Sequence, residues 1–486
     1  MKNLKKILLL ILVTSLFNRC TDHVDYEAIE GYQITSEIYF QQEADYDAAL
    51  VGTYDVLQWL FFNIQLGAIA SEITLCGGES ATDYIGIQQI DDMTHYPENN
   101  VLRQIWQFLY EGINRANYME ENKANIDFEG KEAMYGEVYF LRAYYYFELV
   151  KFFGDVPLFT EARLTAGQAG TLTRTPKDEV YAQIELDLQN AIASLPNSQS
   201  QVGRVNKYTA YALLGKVLLY QDKFAEAASA LDNVIGVYSL VSDYGSQFLR
   251  FGENGPESVF EIQYSNQSNW YDWGCAHCSE GNYAIIMNGP RGWSGPEYAQ
   301  GWSFNVPTEE FYNSFEEGDS RRDATVLDIE AFAAATGASY TEGYDHTGYF
   351  NNKYIPRAGE SGGQTELNYL TNFRIIRYSD VLLMAAEAYN RGGIDDGLAQ
   401  EFLNQVRRRA FGGDDNDISA SGSALTEAIW EERKFELSLE GHRFFDLVRT
   451  GRASSLIAGF VEGKHEVFPI PQQEVDISGL TQNAGY

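Results

Sequence analysis

Aromatic side chains are concentrated in one glycine-rich stretch of the chain, without helical or strand periodicity, so no core-facing stripe accounts for them. They are Trp270, Tyr271, Trp273, Tyr283, Trp293 and Trp302. A flat indole can cover the C–H face of a sugar ring while nearby amide, carboxylate and guanidinium groups hydrogen-bond its hydroxyls. Such polar candidates are Asn266, Asn269, Asp272, Asn282, Asn288 and Arg291. Each ring alone could equally pack the loops, but we expect at least two to form a ligand platform.

The segment that carries these side chains, residues 241–370, differs in texture from the rest of the chain. Glycine is frequent, hydrophobic periodicity is weak, and short β-like runs such as Ser258–Ile262 occur. Long irregular segments in an otherwise compact helical protein usually carry function. We therefore expect the binding site in this segment.

The remaining chain is predicted to be largely helical, and these helices must position the loop-rich segment. The plainest pattern lies in Lys131–Phe153, where Met134, Val138, Leu141 and Tyr145 follow at helical spacing. Aromatic residues fill most other positions, so this helix must be packed on several sides. A glycine and a proline that follow end it.

Two segments have the pattern of a helical repeat. Asn206–Ile235 contains two helices separated by a short polar turn, with Ala212 and Gly215 where the helices must approach closely. Phe373–Asn390 and Ala399–Ala410 are predicted to form another such pair. The pattern is similar to a tetratricopeptide repeat, in which small residues let two helices nest. The predicted fold class is mainly α, with tetratricopeptide-like repeats and a loop-rich, partly irregular half.

The N-terminus has the pattern of an export signal. Lysines precede the apolar run Ile7–Val13, which is too short to span a bilayer, and Cys20 follows it directly before polar residues. We predict that residues 1–19 are a signal peptide and that Cys20 is acylated, for instance with palmitate. Several acyl chains on one residue give stable anchoring. Phe17 and Arg19 are larger than the residues usual before such a cysteine, so ordinary cleavage leaving a free Cys20 stays the alternative.

The charge balance limits the ligands that the protein can bind. The chain has 69 acidic and 35 basic residues, a formal net charge of −34. Such an excess repels nucleic acid and other polyanions unless a local basic patch overrides it. A neutral ligand fits more easily, and we predict no nucleic-acid partner.

Signatures of catalysis and of metal binding are absent from the sequence. It has no H-E-x-x-H, P-loop or G-x-S-x-G motif, and Gly292–Gly295 is one residue short of the last. Cys275 and Cys278 flank His277, but no second ligand pair stands at zinc-site spacing. A disulfide or two packed thiols is the preferred interpretation. We predict no catalytic residue, no cofactor and no metal, and a binding protein rather than an enzyme. A glycosidase with two carboxylates stays the alternative, because the two acids need only meet in space.

Charged residues recur on one helix face between Glu431 and Arg449. Glu432, Glu436 and Glu440 follow at steps of four residues. Acids beside arginines could be acid–base groups or phosphate clamps. The same spacing also lets paired, hydrogen-bonded charges tie packed helices together, and we favour that structural interpretation.

Several segments together resemble the SusD/RagB family, the surface lipoproteins that partner TonB-dependent transporters in Bacteroidetes. The segments are Arg142–Leu158, Arg377–Ala388, Glu431–Arg449, Phe468–Pro471 and Gln482–Tyr486, the last with Ala484 where proline is usual. They span nearly the whole chain in order, and as a set they are highly specific. The resemblance implies four tetratricopeptide-like units and capture of oligosaccharides, or in some branches peptides, for transfer to the transporter.

The resemblance also implies a location and a site. It places the protein at the outer membrane, lipid-anchored and facing the exterior, and draws the site partly from an early loop that here contains Glu79, Asp83 and Tyr84. The expected ligand-binding residues are Trp270, Trp273, Tyr283, Trp293, Trp302, Asp83, Tyr84, Asn269 and Arg291. Expected regions are residues 20–240 (N-terminal helical) and 241–486, the latter divided into 241–370 (loop-rich), 371–449 (helical) and 450–486 (tail).

Three functions compete. The aromatic loops favour a neutral oligosaccharide or polysaccharide that is captured and delivered to a TonB-dependent transporter. Capture of a peptide is the alternative within the same architecture. A site for an extended peptide should expose sheet edges or polar groups that bind its backbone, whereas a sugar site should show stacked aromatic rings. A helical scaffold that binds only protein is the third.

Overall fold

The computed structural model describes residues 39–267, 273–361 and 367–486, so Cys20 and the predicted signal peptide lie outside the described residues. The described chain is mainly helical, as predicted. The α-helices are α1 (Glu43–Asp55), α2 (Phe61–Ile69), α3 (Ile85–Asp91), α4 (Asn100–Glu121), α5 (Lys131–Phe153), α6 (Lys177–Ser194), α7 (Lys207–Leu219), α8 (Phe224–Asp232), α9 (Tyr283–Asn288), α10 (Glu309–Asn313), α11 (Arg321–Thr325), α12 (Ile329–Thr336), α13 (Tyr378–Arg391), α14 (Asp396–Phe411), α15 (Gly422–Leu437), α16 (Arg443–Arg449), α17 (Ala453–Leu456) and α18 (Gln472–Ser478).

Short strands and 3-10 helices complete the described fold. The strands are β1 (Thr74–Gly77), β2 (Ser258–Ile262), β3 (Arg291–Ser294), β4 (Phe304–Pro307), β5 (Val326–Asp328), β6 (Ser339–Thr341), β7 (Tyr349–Asn351) and β8 (Phe373–Arg377). They form antiparallel pairs: β1 with β4, β2 with β8, β3 with β6 and β5 with β7. The 3-10 helices are Val56–Trp59, Ala166–Thr171, Gly245–Phe248, Arg250–Gly252 and Trp273–Cys278.

Consecutive helices pack on one another through the N-terminal half, as a repeat array requires. α5 packs on α4 and α6, and α7 packs on α6 and α8. In the C-terminal half α13 packs on α14 and α15 and also reaches back to α8. Among the described helices, none combines the length and the apolarity needed to cross a membrane.

Helix α5 is the centre of the helical half. It has the predicted bounds, and nearly all of its side chains are buried, as its aromatic composition requires. The helix ends at Gly154, whose φ of 70° an L side chain rarely adopts. Arg142 lies within it and donates from Nε to Asp187 Oδ2 at 2.8 Å, which ties α5 to α6.

The predicted helical hairpin is confirmed by α7 and α8. Asn206 caps α7, accepting from the backbone N–H groups of Tyr208 and Thr209 at 2.9 and 3.1 Å. A Cβ at Gly215 would lie 2.5 Å from the Leu231 side chain. Glycine is therefore needed here for the two helices to approach as closely as they do.

The predicted helix Phe373–Asn390 is wrong over its first five residues. Phe373–Arg377 is strand β8, paired antiparallel with β2, and helix α13 begins only at Tyr378. Isoleucine and phenylalanine favour a half-buried pleated surface, and the partner strand lies far away in the sequence. Pairing with β2 therefore overrides the local helical pattern.

The charged string Glu431–Arg449 forms buried ion pairs, as the structural interpretation predicted. Arg377 on β8 donates to Glu436 Oε1 at 2.8 Å and to Glu440 Oε2 at 2.7 Å. Arg321 on α11 donates to Glu432 Oε1 at 2.6 Å. These contacts join α15 and the turn that follows it to strand β8 and to α11 in the loop-rich segment, and the side chains involved are almost completely buried. They tie elements together rather than form a site open to ligand.

Candidate functional site

The predicted aromatic loop is only partly described. Asn269 and Trp270 lie outside the described residues, and the backbone of Trp273 begins a 3-10 helix that runs to Cys278. The placement of these three side chains stays a prediction. The other six expected site residues are described, and the structure brings five of them to one region.

An ion pair joins the early loop to the loop-rich segment. Arg291, the first residue of β3, donates from Nη2 to Asp83 Oδ2 at 2.9 Å, and its Nη1 lies 3.7 Å from Glu79 Oε2. The Glu79 N–H donates to the same Asp83 oxygen at 2.7 Å. Arg291 and Asp83 keep 23% and 29% of their side-chain surface exposed. Two segments 208 residues apart thus present one charged, hydrogen-bonding patch to solvent.

Strand pairing and two glycines shape the early loop. β1 pairs with β4, and the Gly78 N–H donates to the Ser303 carbonyl at 2.7 Å. Gly77 and Gly78 have φ values of 72° and 100°, which favour glycine. A Cβ at Gly78 would lie 2.7 Å from the Phe304 ring. The loop can therefore lie close against β4 only because side chains are absent at these positions.

A continuous layer of aromatic rings lies beside the ion pair. Ring centroids are 5.3 Å apart for Tyr84 and Phe62, 4.6 Å for Phe61 and Tyr283, and 5.7 Å for Tyr283 and Trp302. Tyr283 is only 8% exposed, whereas Tyr84 and Trp302 are partly exposed. Burial raises the pKa of the Tyr84 and Tyr283 phenols, so both are neutral hydrogen-bonding groups at neutral pH. Tyr84 and Trp302 can therefore offer ring surface to a ligand, while Tyr283 mainly supports them.

Trp293 belongs to a different cluster. Its ring centroid lies 6.0 Å from those of Tyr298 and Phe332, in a small satellite core of the loop-rich segment. The indole Nε1 is buried and has no hydrogen-bond partner among the described residues. The structure thus separates Trp293 from Tyr283 and Trp302, although β3 carries it together with Arg291. A platform role for Trp293 stays a prediction.

Tyr344 is an exposed aromatic residue near this patch that was not among the residues expected from the sequence. Its N–H donates to the Gly78 carbonyl at 2.8 Å, and 37% of its surface is exposed. β6, which ends three residues earlier, pairs with β3 so that Thr341 faces Arg291. The signal in the sequence was a further glycine–tyrosine run in the loop-rich segment, outside the tryptophans on which the prediction concentrated.

The electrostatic surroundings of the patch are acidic. The charge of Asp345 raises the pKa of the Tyr344 phenol, and burial followed by the charge of Asp92 raises the pKa of Asp345 itself. Arg291 is already paired with Asp83. An anionic ligand would meet net repulsion here, whereas a neutral polyhydroxylated ligand could use both the charged hydrogen-bonding groups and the partly exposed rings.

Cys275 and Cys278 form a disulfide beside the aromatic loop. The bond decides between the two interpretations that the sequence left open, a disulfide or two packed thiols. His277 between them packs against Trp59 and Phe108, with ring centroids 5.1 and 5.0 Å apart. As disulfide sulfurs, the two cysteines do not offer the thiolates that a zinc site uses.

Comparison with known proteins identifies the family. A sequence profile described as "SusD family" matches residues 256–459, and one described as "Starch-binding associating with outer membrane" matches residues 71–219. The chain is 29% identical to the SusD-like protein P2 of Formosa agariphila, over 93% of this chain and 94% of that protein.

Solved structures agree with the sequence comparison. A laminarin binding SusD-like protein is 36% identical, with a TM-score of 0.84 over 92% of this chain and 100% of that one. Surface glycan-binding protein A from Bacteroides thetaiotaomicron, solved in complex with laminarihexaose, is 29% identical, with a TM-score of 0.81 over 91% of this chain and 99% of that one. The chain therefore belongs to the SusD family, as the motif resemblance predicted.

Proposed function

We propose that this protein captures a neutral glucan of the laminarin type at the patch formed by Asp83, Tyr84, Arg291, Trp302 and Tyr344. The observation that carries the proposal is the full-length likeness, at 36% identity, to a laminarin binding protein. The acidic surroundings of the patch support a neutral ligand over an anionic one. The protein acts as a binding protein and performs no chemistry on the glycan.

The geometry suggests how each group contributes. Arg291 and Asp83 hold each other in a fixed orientation, which lowers the entropy lost when a ligand binds. The solvent-exposed N–H groups of Arg291 and the oxygen lone pairs of Asp83 are available to sugar hydroxyls. Tyr344 and the exposed part of Trp302 offer ring faces to the C–H face of a glucose unit.

Affinity electrophoresis against a polysaccharide panel tests this directly. We expect retardation by laminarin and not by charged polysaccharides. Tyr344→Ala should weaken binding about five- to hundredfold, by analogy with the ~1–3 kcal/mol that a stacked aromatic contributes. Tyr96→Ala, which removes another tyrosine that is 46% exposed, is the matched control and should bind normally.

The Arg291→Met variant tests the charged pair. It keeps the aliphatic stem and removes charge-assisted hydrogen bonds of ~1.5–3 kcal/mol each, so affinity should fall at least tenfold. Arg322→Met, at an arginine on α11 whose side chain is 43% exposed, is the control and should bind glycan as tightly as the wild type. Full binding by both Arg291→Met and Tyr344→Ala would move the site elsewhere. Binding of peptides with no retention by any glycan would favour the peptide-capturing alternative.

We also propose that Cys20 is acylated and anchors the protein at the outer membrane, facing the exterior. A short apolar run followed by a lone cysteine supports this. Cys20→Ala should move the protein from the detergent phase to the aqueous phase of a detergent partition. If the processed wild-type protein already partitions into the aqueous phase, the anchor does not exist.

Delivery to a TonB-dependent transporter completes the proposal. The repeat array of α4–α8 offers the extended helical surface that such a partner requires. Mild-detergent purification of the tagged protein from native membranes should recover an outer-membrane barrel protein. Recovery of this protein alone would contradict the partnership.

A further inference from the structure

A ligand-sized cleft lies on the helical half, and none of its lining residues belongs to the proposed glycan patch. Its volume is about 190 Å³, far more than the ~10–15 Å³ that one water molecule needs. Three elements line it: one face of α4, the segment of residues 157–172 that follows α5, and the chain from α18 to Leu480.

Aromatic rings form much of the cleft wall. Trp106 and Tyr110 lie one turn apart on α4, with ring centroids 4.9 Å apart. Tyr110 stacks on Phe159 with a centroid distance of 5.6 Å and an interplanar angle of 14°. The Tyr110 hydroxyl donates to the Pro157 carbonyl at 2.8 Å, which fixes the ring. Asn114 accepts from the Leu164 N–H at 3.0 Å and holds the segment against α4.

A half-buried carboxylate completes the wall. Glu474, in the first turn of α18, lines the cleft beside these rings. Within the described chain its carboxylate has neither a hydrogen-bond partner nor an ion-pair partner closer than 4 Å. Its burial raises the pKa of the Glu474 carboxyl, an effect that the nearby Arg103 opposes. A carboxylate in such a place gains most from a cation that enters the cleft.

We propose that this cleft binds a small organic cation with a quaternary ammonium head. Aromatic faces attract such cations through their quadrupoles, and the weak hydration of a quaternary ammonium lets it leave water at low cost. Glu474 supplies the counter-charge, whereas Glu111 at the rim is already paired with Arg115 at 2.9 Å. The strong negative charge of the whole chain favours cation approach.

Two arginines border the cleft and compete with a ligand cation. Arg103 is exposed and donates to Gln473 Oε1 at 3.4 Å, and its charge acts on Glu474. Arg174, close to Tyr110, is held by the carbonyls of Asp155 and Thr481. Arg103 is therefore the competitor for Glu474, and its removal should tighten binding of a cationic ligand.

Choline and 3,3-dimethylbutan-1-ol, its uncharged analogue of the same shape, provide the matched probes for ligand-observed NMR titration of the full protein. We expect choline to bind and the neutral analogue to bind at least about fivefold more weakly. Glu474→Gln should lower the affinity for choline at least about fivefold without changing the melting temperature. Arg103→Gln should raise the affinity for choline. Glu310→Gln, in the first turn of α10, is the control and should be silent.

Other outcomes overturn the proposal. Equal binding of the two probes, or choline binding unaffected by Glu474→Gln, would make the cleft a simple apolar pocket. Glucose binding in place of choline would make it a second sugar site. If Glu474→Gln does not fold, Phe159→Leu serves instead, because it removes a ring but keeps an apolar side chain. This variant should weaken the binding of choline but not the binding of 3,3-dimethylbutan-1-ol. Co-sedimentation with phosphatidylcholine vesicles distinguishes a lipid headgroup from a free solute as the source.

Discussion

Glu436 offers a sharp test of whether the charged string on α15 is structural or takes part in binding. Its side chain is completely buried and is surrounded by arginines. Oε1 accepts from Arg377 Nη1 at 2.8 Å and from Arg409 Nη2 at 2.6 Å, and Oε2 accepts from Arg321 Nη1 at 3.2 Å. Glu436→Gln keeps the size of the side chain but removes the negative charge and turns an N–H₂ group toward the guanidinium groups.

The expected loss of stability follows from these contacts. Removing one partner from a buried ion pair costs about 3–5 kcal/mol, because the opposite charge stays buried without compensation. Here Glu257, Glu432 and Glu440 still pair with the same arginines, which places the loss near the lower end, about 3 kcal/mol. With an unfolding entropy of about 2.1 cal/mol/K per residue, a chain of this size loses roughly 1 °C per kcal/mol, so the melting temperature should fall by about 3 °C.

The loss of stability in Glu436→Gln should not depend on pH near neutrality. Burial alone would raise the pKa of Glu436, but Arg409, Arg377 and Arg321 outweigh it and hold the pKa well below the usual range. The stabilisation is therefore present above the pKa of the unfolded chain and is lost only as pH falls through the folded-state value. The difference between variant and wild type should stay constant from about pH 8 to pH 6.

Thermal melts by circular dichroism, combined with glycan affinity electrophoresis, measure both consequences. Glu427→Gln on the same helix, with 63% of its side chain exposed, is the control and should melt like wild type. Glu436→Gln should melt early and, while folded, bind glycan normally. An unchanged melt together with lost glycan binding would refute the structural interpretation.

Two further predictions concern stability. Burial raises the pKa of Asp91 to about 7, so the folded chain holds this proton more tightly than the unfolded chain, and native stability falls as pH rises from about 4 to about 7. Asp91→Asn should therefore raise the melting temperature more at pH 8 than at pH 5, and an equal shift at both would contradict the argument. A Cβ at Gly67 would overlap the backbone of Gly441, where α2 meets the turn before α16, so Gly67→Ala should cost about 1–3 kcal/mol. Gly413→Ala, where a Cβ meets open space, should leave the melt unchanged.

The helical half could be read from the sequence because its signals are local. The stripe in Lys131–Phe153 and the small residues of the α7–α8 hairpin act within one or two helical turns, and both elements form where the pattern predicts. The buried role of Glu432 and Glu436 followed from the same periodicity, since repeated charges on one helix face need partners when that face is packed.

Only the tertiary structure decided how the candidate site is assembled. Phe373–Arg377 becomes a strand because β2, more than a hundred residues earlier, offers backbone partners. Arg291 meets Asp83 across 208 residues, and the pairing of β3 with β6 brings the loop that carries Tyr344 to the same patch. Composition located the aromatic residues in one segment, but whether each described ring there packs or faces solvent depends on contacts with other elements. Local periodicity carries no information about such contacts, because the free energy that selects them comes from packing in the folded chain.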